Sequence, residues 1–388
     1  MAIKQRVDEI YIVRAIAIIG VLMVHSTSIT TVQLQPDSFS FMMYNALNTF
    51  FRFGTPTFIL LSSFVLFYSY YNRPLSPALF ANFYKKRMLY IMIPYLVFSI
   101  FYIGLRSSWF EKFATFSEFW SQFTSEILLG NAYTHLYFVF ISIQFYLIFP
   151  LLLLLFQRFS RLTKHLIWIG FVLQWAFVLM NHYVWQYPNT GSISLSYMAY
   201  YFTGAFLGIY YESIRGWLTM SRSEFLTKKG LVWLLLWLSW FAATGAHIWL
   251  WHMVRVHGAS FDSKIFTLLW NLHTITTAVV LFFICYWIYK HVAAWFVNFL
   301  IHLGVVSFGI YLIHPVYLFY FRNQFTMTGD MMTYHLFIAG CFLGALFVSW
   351  IIVYPFLYKW KSGWIIFGAK PKTIPQKNKE EKNIAAPS

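Results

Sequence analysis

Ten stretches of about twenty mostly apolar residues follow one another along the chain, and they constrain its fold more than any other feature. A helix of roughly 20 apolar residues crosses the hydrocarbon core of a bilayer. Of the 388 residues, 60% are hydrophobic and only 10% are charged, whereas about a quarter are charged in soluble domains. The pattern therefore predicts an all-α, polytopic integral membrane protein. The predicted spans are residues 11–31, 50–70, 88–106, 135–156, 165–184, 195–213, 230–250, 266–288, 297–320 and 333–358.

The loops between these spans carry lysine and arginine unevenly. With the N-terminus in the cytoplasm, 21 of the 28 basic residues fall on the cytoplasmic side and 5 on the outer side. Cytoplasmic loops of membrane proteins are enriched in these residues, so both termini are predicted to be cytoplasmic. The first apolar stretch follows Lys4 and Arg6 as a signal peptide would, but it lacks a clear small-residue cleavage site and is interpreted as a retained helix. The net charge of +16 is thus a topology signal that favours contact with membrane lipid, and no nucleic-acid partner is expected.

The chain is predicted to form one membrane domain over residues 1–368. Residues 369–388 lack an apolar pattern and are rich in lysine, which is typical of a disordered basic tail on the cytoplasmic side. The two cysteines, Cys285 and Cys341, lie inside apolar runs. They show no metal-ligand spacing and indicate no disulfide framework, so no metal site is predicted.

The first span contains "RAIAIIGVLMVH", with Arg14 and His25 at its two ends. An ionisable residue within a membrane helix costs about 2.5–3.5 kcal/mol on insertion scales. Eleven residues at 100° each bring both side chains to the same helix face, about 16 Å apart. One interpretation is an arginine that snorkels to the membrane surface and a histidine that bonds a neighbouring helix. The other is a functional pair.

Further polar residues occur at similar depths in other spans. Lys86 and Arg87 stand at the cytoplasmic start of the third span, where clustered cations suit phosphate groups. Arg52, His135 and His314 fall in the outer halves of the second, fourth and ninth spans. All 12 acidic residues lie in loops, tails or span edges. Because coupled pumps usually need carboxylates or histidine chains in the membrane, this distribution argues against a proton-driven transporter.

At these positions the chain resembles the membrane-bound acyltransferase 3 family of bacteria, whose first span carries an arginine and a histidine separated by ten residues. Four further segments resemble family motifs in the same order: "RFGTPTFILLSSF", "FYKKRMLYIMIPY", "HLYFVFISIQFYLIFP" and "SFGIYLIHP". The similarity covers residues 9–320. Two positions depart from the family pattern: Tyr90 stands where a second arginine is usual, and Ser63 replaces a glycine.

The resemblance implies transfer of an acyl group, acetyl or succinyl, from cytoplasmic acyl-coenzyme A to a glycan. It makes His25 the expected catalytic residue, either as a base for an acceptor hydroxyl or as a carrier of the acyl group. Arg14, Lys86 and Arg87 are expected to bind the phosphates of the coenzyme. Acyl-coenzyme A is then a co-substrate, and no permanently bound cofactor is expected.

On the acceptor side, the resemblance implies roles for Arg52, His135 and His314. The expected acceptor is a cell-surface glycan or a lipid-linked sugar, and the expected location is the bacterial cytoplasmic membrane. The main alternative is a translocator that exports an envelope polysaccharide or a lipid-linked sugar. A third alternative is a membrane scaffold that catalyses no reaction. It would not explain why the chain places two ionisable residues, Arg14 and His25, within a membrane helix despite the energetic cost.

Overall fold

The computed structural model describes residues 6–109, 115–325, 330–371 and 373–377, and every regular element in these ranges is helical. This confirms the predicted all-α membrane fold. The α-helices are α1 Glu9–Thr27, α2 Thr30–Gln33, α3 Phe39–Phe50, α4 Gly54–Tyr70, α5 Pro77–Arg87, α6 Ile93–Trp109, α7 Phe116–Leu129, α8 Tyr137–Arg158, α9 Leu166–Met180, α10 Met198–Ile214, α11 Lys228–His257, α12 Ser263–His291, α13 Ala294–Gln324, α14 Met331–Lys359 and α15 Gly363–Phe367.

Nine helical segments of the described chain are long and apolar enough to cross a membrane, and they match nine of the ten predicted spans. The tenth, predicted at 195–213, corresponds to α10, which has 17 residues. At 1.5 Å per residue it measures about 26 Å, somewhat less than the roughly 30 Å of a bilayer core. A short 3₁₀ turn, Ser194–Tyr197, precedes it.

Helices α3 and α7 are among those that occur where the sequence predicts loops. Helix α3 has 12 residues and runs through a 3₁₀ turn, Phe51–Phe53, into α4. Helix α7 has 14 residues, begins after the capping side chain of Thr115 and ends at Gly130 in the left-handed conformation. A search for twenty apolar residues detects neither, because both are shorter than a span and mix apolar with polar positions.

The chain divides into two compact units. The first unit is drawn from residues 1–58, 211–352 and 371–388. Within it, α1 packs along α13, and α11 packs along α12. At the α1–α13 crossing, a Cβ atom on Gly304 would lie 1.8 Å from the carbonyl oxygen of Tyr11. Only glycine permits this approach, which brings the backbones of α1 and α13 together.

The second unit is drawn from residues 59–210 and 353–370. Here α10 crosses α4 through two glycines one turn apart. A Cβ atom on Gly204 would lie 2.2 Å from the Leu60 carbonyl oxygen, and one on Gly208 would lie 2.5 Å from that of Phe64. Small residues at this four-residue spacing allow close packing of membrane helices.

Part of the tail that was predicted to be disordered lies against the first unit. The Lys377 side chain is 7% exposed, and its ammonium donates to the carbonyls of Lys290 and Val292, each at 3.1 Å. These carbonyls are at the C-terminal end of α12, where a cation is favourable. Residues 378–388 lie outside the described residues, and for them disorder stays a prediction.

Candidate functional site

The predicted pair on α1 faces α13. The Arg14 Nε donates to the Ser307 hydroxyl at 3.3 Å, and the Ser307 hydroxyl in turn donates to the carbonyl of Gly304 at 2.8 Å. Further along the two helices, the His25 and His314 rings lie 5.1 Å apart between centroids. Arg14 and His25 therefore contact the same neighbouring helix, as their helical spacing predicts, and two of the predicted histidines are in direct contact.

The orientation of His314 follows from the proline that succeeds it. Pro315 has no N–H, so the carbonyl of Tyr311, four residues earlier, lacks its usual helical donor. The His314 Nδ1 lies 2.8 Å from this carbonyl and must carry the proton to bond it. The sequence "YLIHP" thus fixes one tautomer, in which Nε2 of neutral His314 is the basic nitrogen. His314 is fully buried, whereas His25 is partly exposed.

Replacing Pro315 with alanine is expected to weaken this orientation while stabilising α13. The new N–H competes with His314 for the Tyr311 carbonyl, and one hydrogen bond of 0.5–1.5 kcal/mol corresponds to a loss in turnover of about two- to tenfold. Turnover and the thermal midpoint of purified protein measure the two effects. Pro355→Ala, at a proline inside α14 that no histidine precedes, is the matched control and should leave turnover unchanged. Wild-type turnover in Pro315→Ala would show that the tautomer is immaterial.

Side chains from two other helices hold the end of α1 that carries His25. The Arg322 Nη2 donates to the carbonyl of His25 at 2.5 Å and to that of Ser26 at 3.5 Å. The Asn48 amide donates to the carbonyl of Val24 at 3.0 Å and to the Thr27 hydroxyl at 3.1 Å. The last carbonyls of a helix need such partners, and a guanidinium suits the negative end of the helix dipole. The backbone of His25 is therefore fixed from two sides.

Arg52 belongs to the same group of contacts. One Nη of Arg52 donates to the Asn48 side-chain oxygen at 3.4 Å, and its guanidinium lies 4.3 Å from the centroid of a Trp251 ring. Asn48 consequently links Arg52 to the end of α1. Among the predicted residues of the first unit, the structure thus connects His25 with Arg14, Arg52 and His314.

Lys86 and Arg87 belong to the second unit, at the C-terminal end of α5. Lys86 is exposed, and the Arg87 guanidinium lies 4.9 Å from the Tyr146 ring centroid. In the part of the chain that the structure describes, neither forms an ion pair with a carboxylate. Tyr90, which replaces the usual family arginine, packs its ring 5.7 Å from that of Trp364. At this position the chain uses an aromatic contact with α15 where a cation is usual.

His135, also in the second unit, is 1% exposed. Its ring makes edge contacts with Tyr102 at 5.1 Å and Tyr133 at 5.7 Å between centroids. These contacts place the ring inside an aromatic cluster of its own unit. The acceptor role that the sequence analysis gave to His135 stays a prediction.

The histidine pair is suited to proton transfer. Neutral imidazole accepts a proton, and His314 is oriented by a backbone carbonyl rather than by a carboxylate. Within the described ranges, no hydrogen bond joins an aspartate or glutamate to the His25 ring, and no three His, Cys, Asp or Glu residues form a group that could hold a metal ion.

Four residues of this region were not predicted from the sequence: Asn48, Trp251, Arg255 and Arg322. Arg255 and Arg322 are two of the five basic residues that the charge pattern places on the outer side. One signal was present: Arg255 follows Trp251 by four residues, which is one helical turn. The contact of Arg322 with His25 joins residues 297 positions apart, and the sequence carries no sign of it.

Comparisons with known proteins identify the family of the chain. A family model described as an acyltransferase domain, acyltransferase 3, matches residues 7–354. A protein of Staphylococcus aureus (strain MSSA476) named "Probable poly-beta-1,6-N-acetyl-D-glucosamine export protein" is 29% identical over 232 residues, which are 55% of this chain and 60% of that protein. A Staphylococcus epidermidis protein of the same name is 26% identical over 333 residues, covering 81% of this chain and 82% of its own length. No solved structure matches.

Proposed function

Since the chain belongs to the acyltransferase 3 family, we propose that it transfers an acyl group from acyl-coenzyme A to a glycan of the bacterial envelope. The observation that carries this proposal is the contact between His25 and His314 at the end of α1, with Arg14 on the same face of that helix. The proposed location is the bacterial cytoplasmic membrane, which fits the multi-pass helices.

In the proposed reaction, the neutral His25 ring takes the proton from an acceptor hydroxyl. The hydroxyl oxygen attacks the thioester carbonyl, so that a C–O bond forms and the C–S bond breaks. The departing sulfur takes the proton from the imidazolium, which returns His25 to its neutral form. Arg322 and Asn48 keep the His25 backbone in place throughout.

The cations at the predicted cytoplasmic side are proposed to bind the phosphates of the donor. Arg14→Gln and Arg87→Gln should each weaken acyl-coenzyme A binding about tenfold or more, because a hydrogen bond to a charged group contributes about 1.5–3 kcal/mol. Calorimetry on purified protein measures this effect for each variant separately. Arg161→Gln removes an exposed arginine of another predicted cytoplasmic loop and should bind as wild type. Wild-type affinity in a folded Arg14→Gln, Arg87→Gln double variant would contradict the donor site.

The function itself is tested with inverted membrane vesicles that contain the protein and an envelope glycan. Acyl-coenzyme A labelled in the acyl group is added outside, which is the cytoplasmic face. We expect label to appear on the glycan as an alkali-labile ester only when the protein is present. Equal esterification of the glycan by vesicles with and without the protein would contradict the proposal.

Export of a polysaccharide is the second candidate function, because the staphylococcal relatives carry that name. Because the name of these relatives contains a β-1,6-linked N-acetylglucosamine polymer, this polymer is the first acceptor to test. Movement of this polymer into vesicles without any acyl donor would favour export.

A further inference from the structure

Two arginines of the first unit share one tryptophan ring. The guanidinium carbons of Arg52 and Arg255 lie 4.3 Å and 4.4 Å from the centroid of Trp251. They are therefore at most about 9 Å from each other. Like charges repel at this distance, and the effect is stronger where water is partly excluded. Both side chains are partly buried, so the pair needs a compensating group.

The neighbours of both arginines are neutral. Arg255 donates to the Asn45 side-chain oxygen at 2.6 Å, and Arg52 donates to that of Asn48 at 3.4 Å. Among the described residues, no carboxylate lies within 4 Å of either guanidinium, although the chain forms such a pair nearby in sequence, between Lys264 and Asp262 at 2.7 Å. Each guanidinium has five N–H donors, and an amide oxygen and an aromatic face use only part of this capacity.

A histidine relay holds the tryptophan ring in place. The indole N–H of Trp251 donates to Nε2 of His247 at 3.1 Å, so neutral His247 carries its proton on Nδ1. That nitrogen lies 2.9 Å from Nδ1 of His273, which accepts. His247 is 1% exposed and His273 is fully buried. The Trp251 ring is thus anchored in the core, and it gives the two guanidiniums a fixed surface to pack against.

This arginine pair adjoins the end of α1 that carries His25. Asn48 contacts Arg52 with its oxygen and the carbonyl of Val24, the residue before His25, with its nitrogen. A third guanidinium, that of Arg322, bonds the His25 carbonyl. A group held by Arg52 and Arg255 is therefore at the same end of α1 as the reacting histidine.

We propose that Arg52 and Arg255, held on Trp251, bind an anionic group of the reacting substrate, either a carboxylate or a phosphate. Guanidinium groups recognise these two anions through paired hydrogen bonds. The anion has two sources that fit: an acidic acceptor, or the distal carboxylate of a dicarboxylic acyl group such as succinyl. This inference rests on the proposed acyl transfer for the identity of the substrate, while binding of the anion does not depend on turnover.

The first experiment measures anion binding without turnover. The thermal midpoint of the purified full chain is followed with sodium succinate or inorganic phosphate, against sodium chloride at equal ionic strength. We expect a saturable rise in wild type and an apparent affinity at least about tenfold weaker in Arg52→Gln and Arg255→Gln. Lys264→Gln, which removes a cation that has its own carboxylate, should behave as wild type. Arg255→Lys keeps the charge, so it shows whether a weak response in Arg255→Gln comes from misfolding.

Equal responses in wild type and the folded Arg52→Gln, Arg255→Gln double variant would overturn the proposal, as would no anion-specific rise in wild type. Both results leave the proposed acyl transfer untouched, because they involve no donor. The second experiment identifies the source of the anion. If it is the acyl group, Arg255→Gln lowers the ratio of succinyl to acetyl transfer about tenfold; if it is the acceptor, both rates fall together. Wild-type rates with both donors in Arg255→Gln would also overturn the proposal.

Discussion

Replacing His25 with glutamine is expected to lower acyl transfer at least about a hundredfold, since a general base contributes roughly 10²–10⁴-fold. Glutamine keeps a hydrogen-bonding side chain of similar size but cannot take up a proton near neutral pH. The helix itself should persist, because Arg322 and Asn48 bind backbone carbonyls at the end of α1. Binding of acyl-coenzyme A should stay near the wild-type level, since the proposed phosphate ligands are elsewhere.

The measurement is transfer of labelled acyl groups by vesicles that contain equal amounts of folded protein. His302→Gln is the matched control. His302 lies on α13, like His314, but its Nδ1 accepts a hydrogen bond from Trp350 at 3.0 Å. Glutamine can preserve that contact, so this variant should keep most activity. Retention of most activity in His25→Gln would remove the proton-transfer role of His25.

Arg322 is expected to act as a positioning residue for His25. Arg322→Gln removes a charge-assisted hydrogen bond to the His25 carbonyl, and such a bond contributes about 1.5–3 kcal/mol. If half of that energy holds the histidine in its reactive place, kcat should fall about three- to tenfold. The affinity for acyl-coenzyme A should change little. Arg322→Lys should recover part of the loss, because an ammonium still suits the end of a helix dipole.

Steady-state kinetics and donor calorimetry on the same protein preparations separate the two roles. A merely structural role of Arg322 would lower the thermal midpoint and the amount of active protein while kcat per active molecule stayed constant. Arg222→Gln, which removes an exposed arginine of a predicted cytoplasmic loop, should match wild type in every measurement. An unchanged kcat in Arg322→Gln would show that this contact does not position His25.

The fold was largely predictable because the bilayer imposes one simple rule on every span. A run of about twenty apolar residues is sufficient to indicate a helix, and nine predicted spans coincide with long apolar helices of the structure. The rule does not detect helices that are too short to cross a bilayer. Helix α3 is only 12 residues long, and its length does not follow from hydropathy.

The candidate site was predictable only in part. Helical spacing predicted that Arg14 and His25 share a face, and the structure places Ser307 and His314 of α13 opposite them. The contacts of Arg322 with His25 and of Arg255 with Asn45 join residues 297 and 210 positions apart. Such contacts depend on how the helices pack, and neither composition nor periodicity encodes that packing in a single sequence.

The central claim is that the protein forms an ester bond on a glycan at His25. The most direct measurement uses proteoliposomes of the purified chain with a β-1,6-linked N-acetylglucosamine oligomer and labelled acetyl- or succinyl-coenzyme A at the cytoplasmic face. Mass spectrometry of the oligomer measures ester formation. The distribution of the oligomer across the membrane measures transport. We predict an oligomer with added acyl groups in wild type and an unmodified oligomer in His25→Gln. An oligomer that crosses the membrane unmodified, equally in wild type and His25→Gln, would contradict the account.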